Sequence, residues 1–345
     1  MEKSRFTVAL LKWFAVHGRE LPWRGIGDAY GIWVSEVILQ QTRIDQGTEY
    51  WLRFMERFPT VEALAAASED EVLRLWQGLG YYSRARNMHA AARQIVAQGG
   101  FPTTIEGLRS LKGVGDYTAA AVGSMAFGLP AAAVDGNVYR VLARHYGIDV
   151  PINTTRGKHT FEALAQELLP HDRPSEFNQA MMDFGATWCT PRAPRCMDCP
   201  VAVTCEALRS GRVEKLPVKE KKMKIQERRF SYIYVRHDGK IALRRRPAGD
   251  IWQGLWEPLF IEGCPLPDLG CPLTLLAHDV KHVLTHRVLL ADFFLAEPES
   301  KPILPAAYQW VDEQEIDNYA LPRLVEKLIA MLKNRKRPHD DEDRS

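Results

Sequence analysis

Residues 111–137, LKGVGDYTAAAVGSMAFGLPAAAVDGN, constrain this chain more than any other stretch. Gly113 and Gly115 flank Val114, so the backbone there can adopt conformations closed to residues with a Cβ and can approach a ligand closely. A helix is expected to start at once with Asp116, Tyr117 and Thr118 and to run on through small residues. Its unpaired first N–H groups and positive dipole end then face whatever rests on the turn, which favours an anion. Downstream, the apolar run LPAAAV delivers Asp135, then Gly136 and Asn137. A carboxylate in that place needs a reason, because burying one unpaired is costly. Asp135 can cap the helix expected over 138–146, or it can serve chemistry, and the two roles are compatible.

The pattern L-x-G-V-G-x-Y-T resembles the helix-hairpin-helix signature of DNA glycosylases, in which the turn formed here by Gly113, Val114 and Gly115 holds one backbone phosphate. Joined to V-D-G-N at 134–137, it is similar to the catalytic core of the endonuclease III superfamily.

Nearer the amino end, a long helical pattern covers 32–58. Glu36 has Ile32, Trp33, Leu39 and Gln40 as its three- and four-residue neighbours, so it shares a helix face with mostly apolar side chains. It reads either as a desolvated carboxyl of raised pKa, suited to general-acid work near neutrality, or as an ordinary solvated glutamate. A second loop, GLGYYSRARN at 78–87, brings Tyr81, Tyr82, Arg84 and Arg86 together after two glycines. It suits a DNA surface, and its tyrosines suit packing on a neighbouring helix equally well.

That loop, with LPWR at 21–24 and WVSEVILQQT at 33–42, resembles the MutY family of adenine DNA glycosylases, and the resemblance runs over nearly the whole chain. It implies a base-flipping hydrolase. By position, Glu36 protonates the adenine at N7, Asp135 stabilises or captures the sugar cation from the opposite side, and Tyr117 and Asn137 shape these sites. Gln41 and Tyr81 become wedges in the base stack, with Gln40 and Thr42 beside Gln41 at the DNA. Trp23, Arg24, Leu39, Ile44 and Gln179 line the adenine pocket. The strand-nicking relatives need a Schiff-base lysine two places after G-V-G; here Tyr117 stands there, which implies hydrolysis without a lyase step. A non-catalytic damage binder is the rival from another class, and the presence of both carboxylates speaks against it.

Helical patterns follow at 61–76, 84–98, 104–111, 117–127, 138–146 and 154–169, with no strand signal, so this half is expected to be all-α. Cys189, Cys196, Cys199 and Cys205 then stand as C-x6-C-x2-C-x5-C, a metal site in a reducing compartment. The thiols alone admit zinc. The spacing resembles the loop of the superfamily that carries one 4Fe-4S cluster, with Pro191, Arg192 and Arg195 held as a basic segment toward phosphates.

Residues 212–229 read as a basic linker without an apolar face, a solvated tether or a segment lying along DNA. From 230 the period becomes that of strands: FSYIYVR, a turn at 237–239 and KIALRRR form a hairpin, 281–297 a further pair or one long strand, and 321–336 a closing helix. This region resembles the Nudix-like domain of the same family, best at IWQGLWE (251–257), but no glutamate-rich Nudix box follows. The resemblance implies a reader of 8-oxoguanine, with Leu284, Thr285 and His286 where the family has Phe-Ser-His. Cys264, Cys271, His278 and His282 fall at suggestive intervals, but their place in a proline-rich loop and a strand start speaks against a second zinc site.

A length of 345 residues has room for two domains, and a net charge of +2 means that any DNA footprint is local. The expectation is multidomain: an all-α helix-hairpin-helix glycosylase domain at 1–211 with its iron-sulfur loop, the linker, an α+β Nudix-like domain at 230–333 and a disordered tail at 334–345. No membrane span or cleavable signal is read. The chain is expected to act in the cytoplasm, associated with the nucleoid, as a monomer on double-stranded DNA carrying adenine opposite 8-oxoguanine or guanine.

Overall fold

Helices begin where a side chain can cap them and end where glycine lets the backbone turn left-handed. Asp28 accepts from the N–H groups of Tyr30 and Gly31 to open the helix Ala29–Ile38, and Gly128 (φ 65°) and Gly147 (φ 66°) close the helices Asp116–Phe127 and Gly136–Tyr146. In this computed structural model residues 2–220, 226–284 and 286–335 are described. The helices are α1 (Glu2–His17), α2 (Ala29–Ile38), α3 (Ile44–Arg57), α4 (Val61–Ala66), α5 (Glu69–Leu75), α6 (Ser83–Ala97), α7 (Ile105–Ser110), α8 (Asp116–Phe127), α9 (Gly136–Tyr146), α10 (Thr155–Leu168), α11 (Pro174–Thr187), α12 (Glu206–Arg209) and α13 (Arg323–Arg335). None of the described helices is long and apolar enough to cross a membrane.

Two expected helices are each split. The pattern over 32–58 breaks at 39–43, where exposed Gln41 takes φ 58° and Leu39 folds back on Gly47, a position where a Cβ would come 2.6 Å from the leucine. Apolar periodicity runs through the break and hides it. The pattern over 61–76 breaks at Ser68, whose hydroxyl accepts from Glu71 N–H at 3.2 Å to cap α5. Ser68-Glu69-Asp70-Glu71 is a capping-box sequence that the long pattern masked.

The chain divides into two units, Met1–Ala66 with Asn87–Lys221, and Ala67–Arg86 with Lys222–Ser345. In the first, one core joins α1, α9, α10 and α11 through Phe6, Leu10, Leu142, Phe161, Phe177 and Phe184. The basic segment after 212 is not a free tether. Leu216 is buried in this core, Val213 O accepts from Arg144 Nε at 2.8 Å, and Ile152 N–H donates to Val218 O at 3.0 Å. Scattered apolar residues with no period gave no sign of it.

The second unit carries a seven-stranded sheet of β1 (Gln226–His237), β2 (Lys240–Arg245), β3 (Trp256–Glu257), β4 (Leu259–Ile261), β5 (Thr274–Val283), β6 (Arg287–Ala296) and β7 (Tyr308–Asp312). The hairpin at 237–240 forms as the sequence predicts, with Asp238 (φ 48°) and Gly239 (φ 67°) in its turn. β1 starts at Gln226, inside the stretch read as linker, and runs parallel to β6 over ten residues. Residues 281–297 fall in an antiparallel pair, but β5 begins at Thr274, so His278 and His282 lie within a strand. Helix α13 covers the sheet with Leu324, Val325 and Leu328 against Phe230, Tyr232 and Phe293. Of the expected tail, Asn334 and Arg335 end α13, and 336–345 lie outside the described residues.

Candidate active site

Helix α2 is buried throughout from Tyr30 to Ile38, so Glu36, 6% exposed, is surrounded by protein rather than set on one apolar face. Tyr117, in the first turn of α8, donates its hydroxyl to Glu36 Oε2 at 2.6 Å, and Met182 Sδ on α11 lies 3.3 Å from the same hydroxyl. Burial pushes the Glu36 carboxyl up to about 7; the Tyr117 hydrogen bond pulls it down, the Asp135 charge raises it and Arg24 lowers it. The solvated-glutamate reading is thereby excluded.

Asp135 is half-buried at the amino end of α9 and caps it. Its Oδ1 accepts from the N–H groups of Asn137 (2.9 Å) and Val138 (2.8 Å), and its Oδ2 from Asn137 Nδ2 (2.7 Å). Loss of water still raises its pKa, with those three bonds and the charge of Arg140 pulling it back. The site therefore brings Glu36, Tyr117, Asp135 and Asn137 together.

Two arginines that sequence reading passed over extend this network. Buried Arg140 donates to Asn137 Oδ1 at 2.7 Å, Gly185 O at 2.6 Å and Cys189 O at 2.8 Å. One turn on, buried Arg144 donates to Thr190 O at 2.7 Å and approaches Cys189 Sγ at 3.4 Å. Helix α9 thus ties Asp135 to the first cysteine. The available signal was a pair of arginines four apart among the apolar residues of VYRVLAR, on the face that must be buried.

Other expected residues are placed as follows. Trp23 is buried with its ring 5.7 Å from that of Trp51, and Arg24 is half-buried with both Nη atoms on Asp183. Gln40 Nε2 donates to Thr118 Oγ1 at 3.4 Å, and Gln179 Nε2 to Ser175 Oγ at 2.9 Å within α11. Leu39, Thr42 and Ile44 are half-buried around the exposed, left-handed Gln41. In the glycine turn, Gly113 has φ 78° and a Cβ there would lie 2.6 Å from Asn87 Cβ, so glycine is required on two counts. Val114 is buried, and Gly115 caps α8 without a side-chain hydrogen bond to its first amides.

Cys189, Cys196, Cys199 and Cys205 line one apolar cavity with Val141 and Phe184. Burial and mutual proximity push the Cys199 thiol up to about 11 and raise Cys196 and Cys205, so these three would not ionise together without a cation beside them. Among the described residues no three of these sulfurs lie within 4.8 Å of one another. Four cysteine sulfurs around one cavity are the donor set of either tetrahedral zinc or an iron-sulfur cluster.

In the second unit, Tyr81, Leu284 and His286 line one cavity of about 720 Å³ with Trp252, His282 and Arg287. Tyr81 (φ 46°) and Trp252 (φ 59°) hold left-handed backbone that bulky residues seldom adopt. Thr285 lies outside the described residues. Glu257, in the Nudix-like stretch, is fully buried and ion-paired to Arg244 at 2.9 Å and to Arg246. Cys264, Cys271, His278 and His282 do not converge: among the described residues only His278 of the four joins a close group, with Asp279 and Asp292, and Arg229 pairs with Asp279 at 2.7 Å.

A sequence profile described as HhH-GPD superfamily base excision DNA repair protein matches residues 34–171, and one described as NUDIX domain matches 231–331. Fold and profiles define a helix-hairpin-helix base excision repair protein with a Nudix-like second domain. The adenine DNA glycosylase of Mus musculus is 43% identical over 228 residues, covering 62% of this chain and 44% of that protein. The adenine DNA glycosylase of Buchnera aphidicola subsp. Schizaphis graminum is 33% identical over 254 residues, covering 73% of each. The solved structure of a thermostable thymine-DNA glycosylase matches with a TM-score of 0.56 at 29% identity, over 61% of this chain and 97% of that one. The chain belongs to the adenine DNA glycosylase family. The chain spans less than half the length of the mouse relative that it matches.

Proposed function

We propose that this protein binds duplex DNA and hydrolyses the N-glycosidic bond of adenine paired with 8-oxoguanine or guanine. The observation that carries this reading is the pairing of a protonatable Glu36, held by Tyr117, with an Asp135 fixed by three donors. A flipped-out adenine accepts the Glu36 proton at N7, which turns the base into a neutral leaving group. As the bond to C1′ breaks, the Asp135 carboxylate stabilises or captures the sugar cation before water attacks. Asn137 keeps Asp135 oriented, and Tyr117 keeps Glu36 oriented without supplying an amine, so no lyase step follows.

Trp23, Arg24, Leu39, Ile44 and Gln179 are assigned to the adenine pocket, Gln41 and Tyr81 to the base-stack wedges with Gln40 and Thr42 alongside, and residues 113–115 to one phosphate. The catalytic work falls to 1–211. Reading of the opposite base falls to 230–333, where Leu284, Thr285 and His286 contact 8-oxoguanine. Cys189, Cys196, Cys199 and Cys205 would hold one 4Fe-4S cluster. Bound there, the cluster supplies the positive charge that keeps four thiolates together and braces Arg192 and Arg195 for phosphates.

The test is incubation with duplexes carrying adenine opposite 8-oxoguanine, guanine or thymine. Breaks that require alkali and arise only from the first two duplexes are expected. Breaks without alkali would assign a lyase, and no release of adenine would remove the reading altogether.

A further inference from the structure

A carboxylate outside the catalytic pair lies on the same wall of the site. Asp183, on α11 next to Met182, is fully buried and accepts from two arginines at once. Its Oδ2 takes the backbone N–H of Arg19 at 2.9 Å and Arg24 Nη1 at 2.8 Å; its Oδ1 takes Arg19 Nε at 2.8 Å, Arg24 Nη2 at 2.8 Å and Arg19 Nη2. Arg24 is further fixed by donating to Arg19 O at 2.7 Å and by lying 5.6 Å from the Phe14 ring centre. A planar fork with both arms on one carboxylate has little freedom to turn elsewhere.

We infer that Asp183 is a positioning residue that holds the Arg24 guanidinium away from Glu36, so that Glu36 stays available as a proton donor. The inference rests on the glycosylase reading of Glu36. The charge of Arg24 already reaches Glu36 and favours its anion. Without the Asp183 carboxylate, two half-buried guanidiniums would lose their shared counter-ion, and the Arg24 charge would be free to act more strongly on Glu36. The other groups acting on Glu36 are the Tyr117 hydroxyl from α8 and Asp135 from the amino end of α9, itself held by Asn137 and Arg140, with the Met182 sulfur against Tyr117. Among the described residues the Asp183 side-chain oxygens accept from Arg19 and Arg24, so the carboxylate reaches Glu36 through Arg24.

The experiment compares wild type, Asp183→Asn, Asp183→Glu and Arg19→Leu. The Glu36 carboxyl is titrated in the full chain without DNA by isotope-edited infrared difference against the same protein carrying Glu36→Gln. Adenine release is followed across pH in parallel, with thermal melts to confirm folding. Asp183→Asn is expected to lower the Glu36 midpoint by about one pH unit, and to cut release at pH 7.5 by about tenfold with recovery on acidification. Asp183→Glu should restore most of both. Arg19→Leu disturbs the same buried cluster while leaving Arg24 paired, and should keep the midpoint. An unshifted midpoint in folded Asp183→Asn, or an equal shift in Arg19→Leu, overturns the inference. If wild type releases no adenine, the glycosylase reading fails while the infrared midpoint still decides the role of Asp183. Should Asp183→Asn not fold, Arg24→Gln provides the converse reading: its midpoint must rise, and a fall or no change overturns the inference.

Discussion

The middle of α2 and the amino end of α9 each bring a carboxylate into one site, and they hold it in opposite ways. Glu36 sits inside an all-buried helix and receives a single hydroxyl. Asp135 stands where helix geometry supplies free amides, and it receives two of them plus the Asn137 side chain. Desolvation raises both groups, but donors stabilise only the anion, so the poorly served carboxyl is the natural acid and the well-served one the natural counter-charge. Division of labour between two acidic residues thus follows from where the backbone offers N–H groups.

The harshest way to break this comparison is to remove each charge without changing shape. Glu36→Gln and Asp135→Asn are each expected to slow single-turnover adenine release by roughly a thousandfold, with duplex affinity nearly unchanged in gel-shift titrations. Near-normal release by either variant would dissolve the pair. A milder cut acts on the support of Asp135 alone. Arg140→Lys keeps the charge but loses the fork that spans Asn137, Gly185 and Cys189, and should cost roughly tenfold in release together with a lower melting temperature. If release falls without any change in affinity for DNA, the loss lies at Asp135 rather than in the cysteine loop.

The protonation of Glu36 can be sharpened from two directions. Tyr117→Phe removes a hydrogen bond that favours the Glu36 anion, so the alkaline limb of the pH–rate profile should move up by about half to one pH unit; a downward move contradicts the assigned donor. Stability provides the second measure. With a folded value raised from 4.5 to about 7, the contribution of Glu36 is full below pH 4.5 and lost as pH rises through about 7. Denaturant melts of Glu36→Gln should therefore match wild type near pH 4.5 and exceed it above pH 7 by roughly 3 kcal/mol. The smallest effect belongs to the second unit: His286→Ala should reduce the preference for 8-oxoguanine over guanine opposite adenine only a fewfold, because one modest hydrogen bond in a water-accessible cavity is at stake.

By itself the sequence determined the turn at 113–115, the capping Asp135, the cysteine spacing and the β1–β2 hairpin. Each depends on neighbours within a few residues, where glycine, small side chains and alternation act directly on the backbone. It could not reveal the breaks at 39–43 and at Ser68, since apolar periodicity measures which face is buried and stays blind to a single left-handed residue or a local cap. Nor could it reveal that Glu36 is buried on every side, that Arg140 links Asn137 to Cys189, or that Asp183 gathers Arg19 and Arg24 across 164 and 159 residues. Those pairings were decided by tertiary structure, because a buried charge must find a counter-charge wherever packing leaves one, and sequence distance does not enter that requirement.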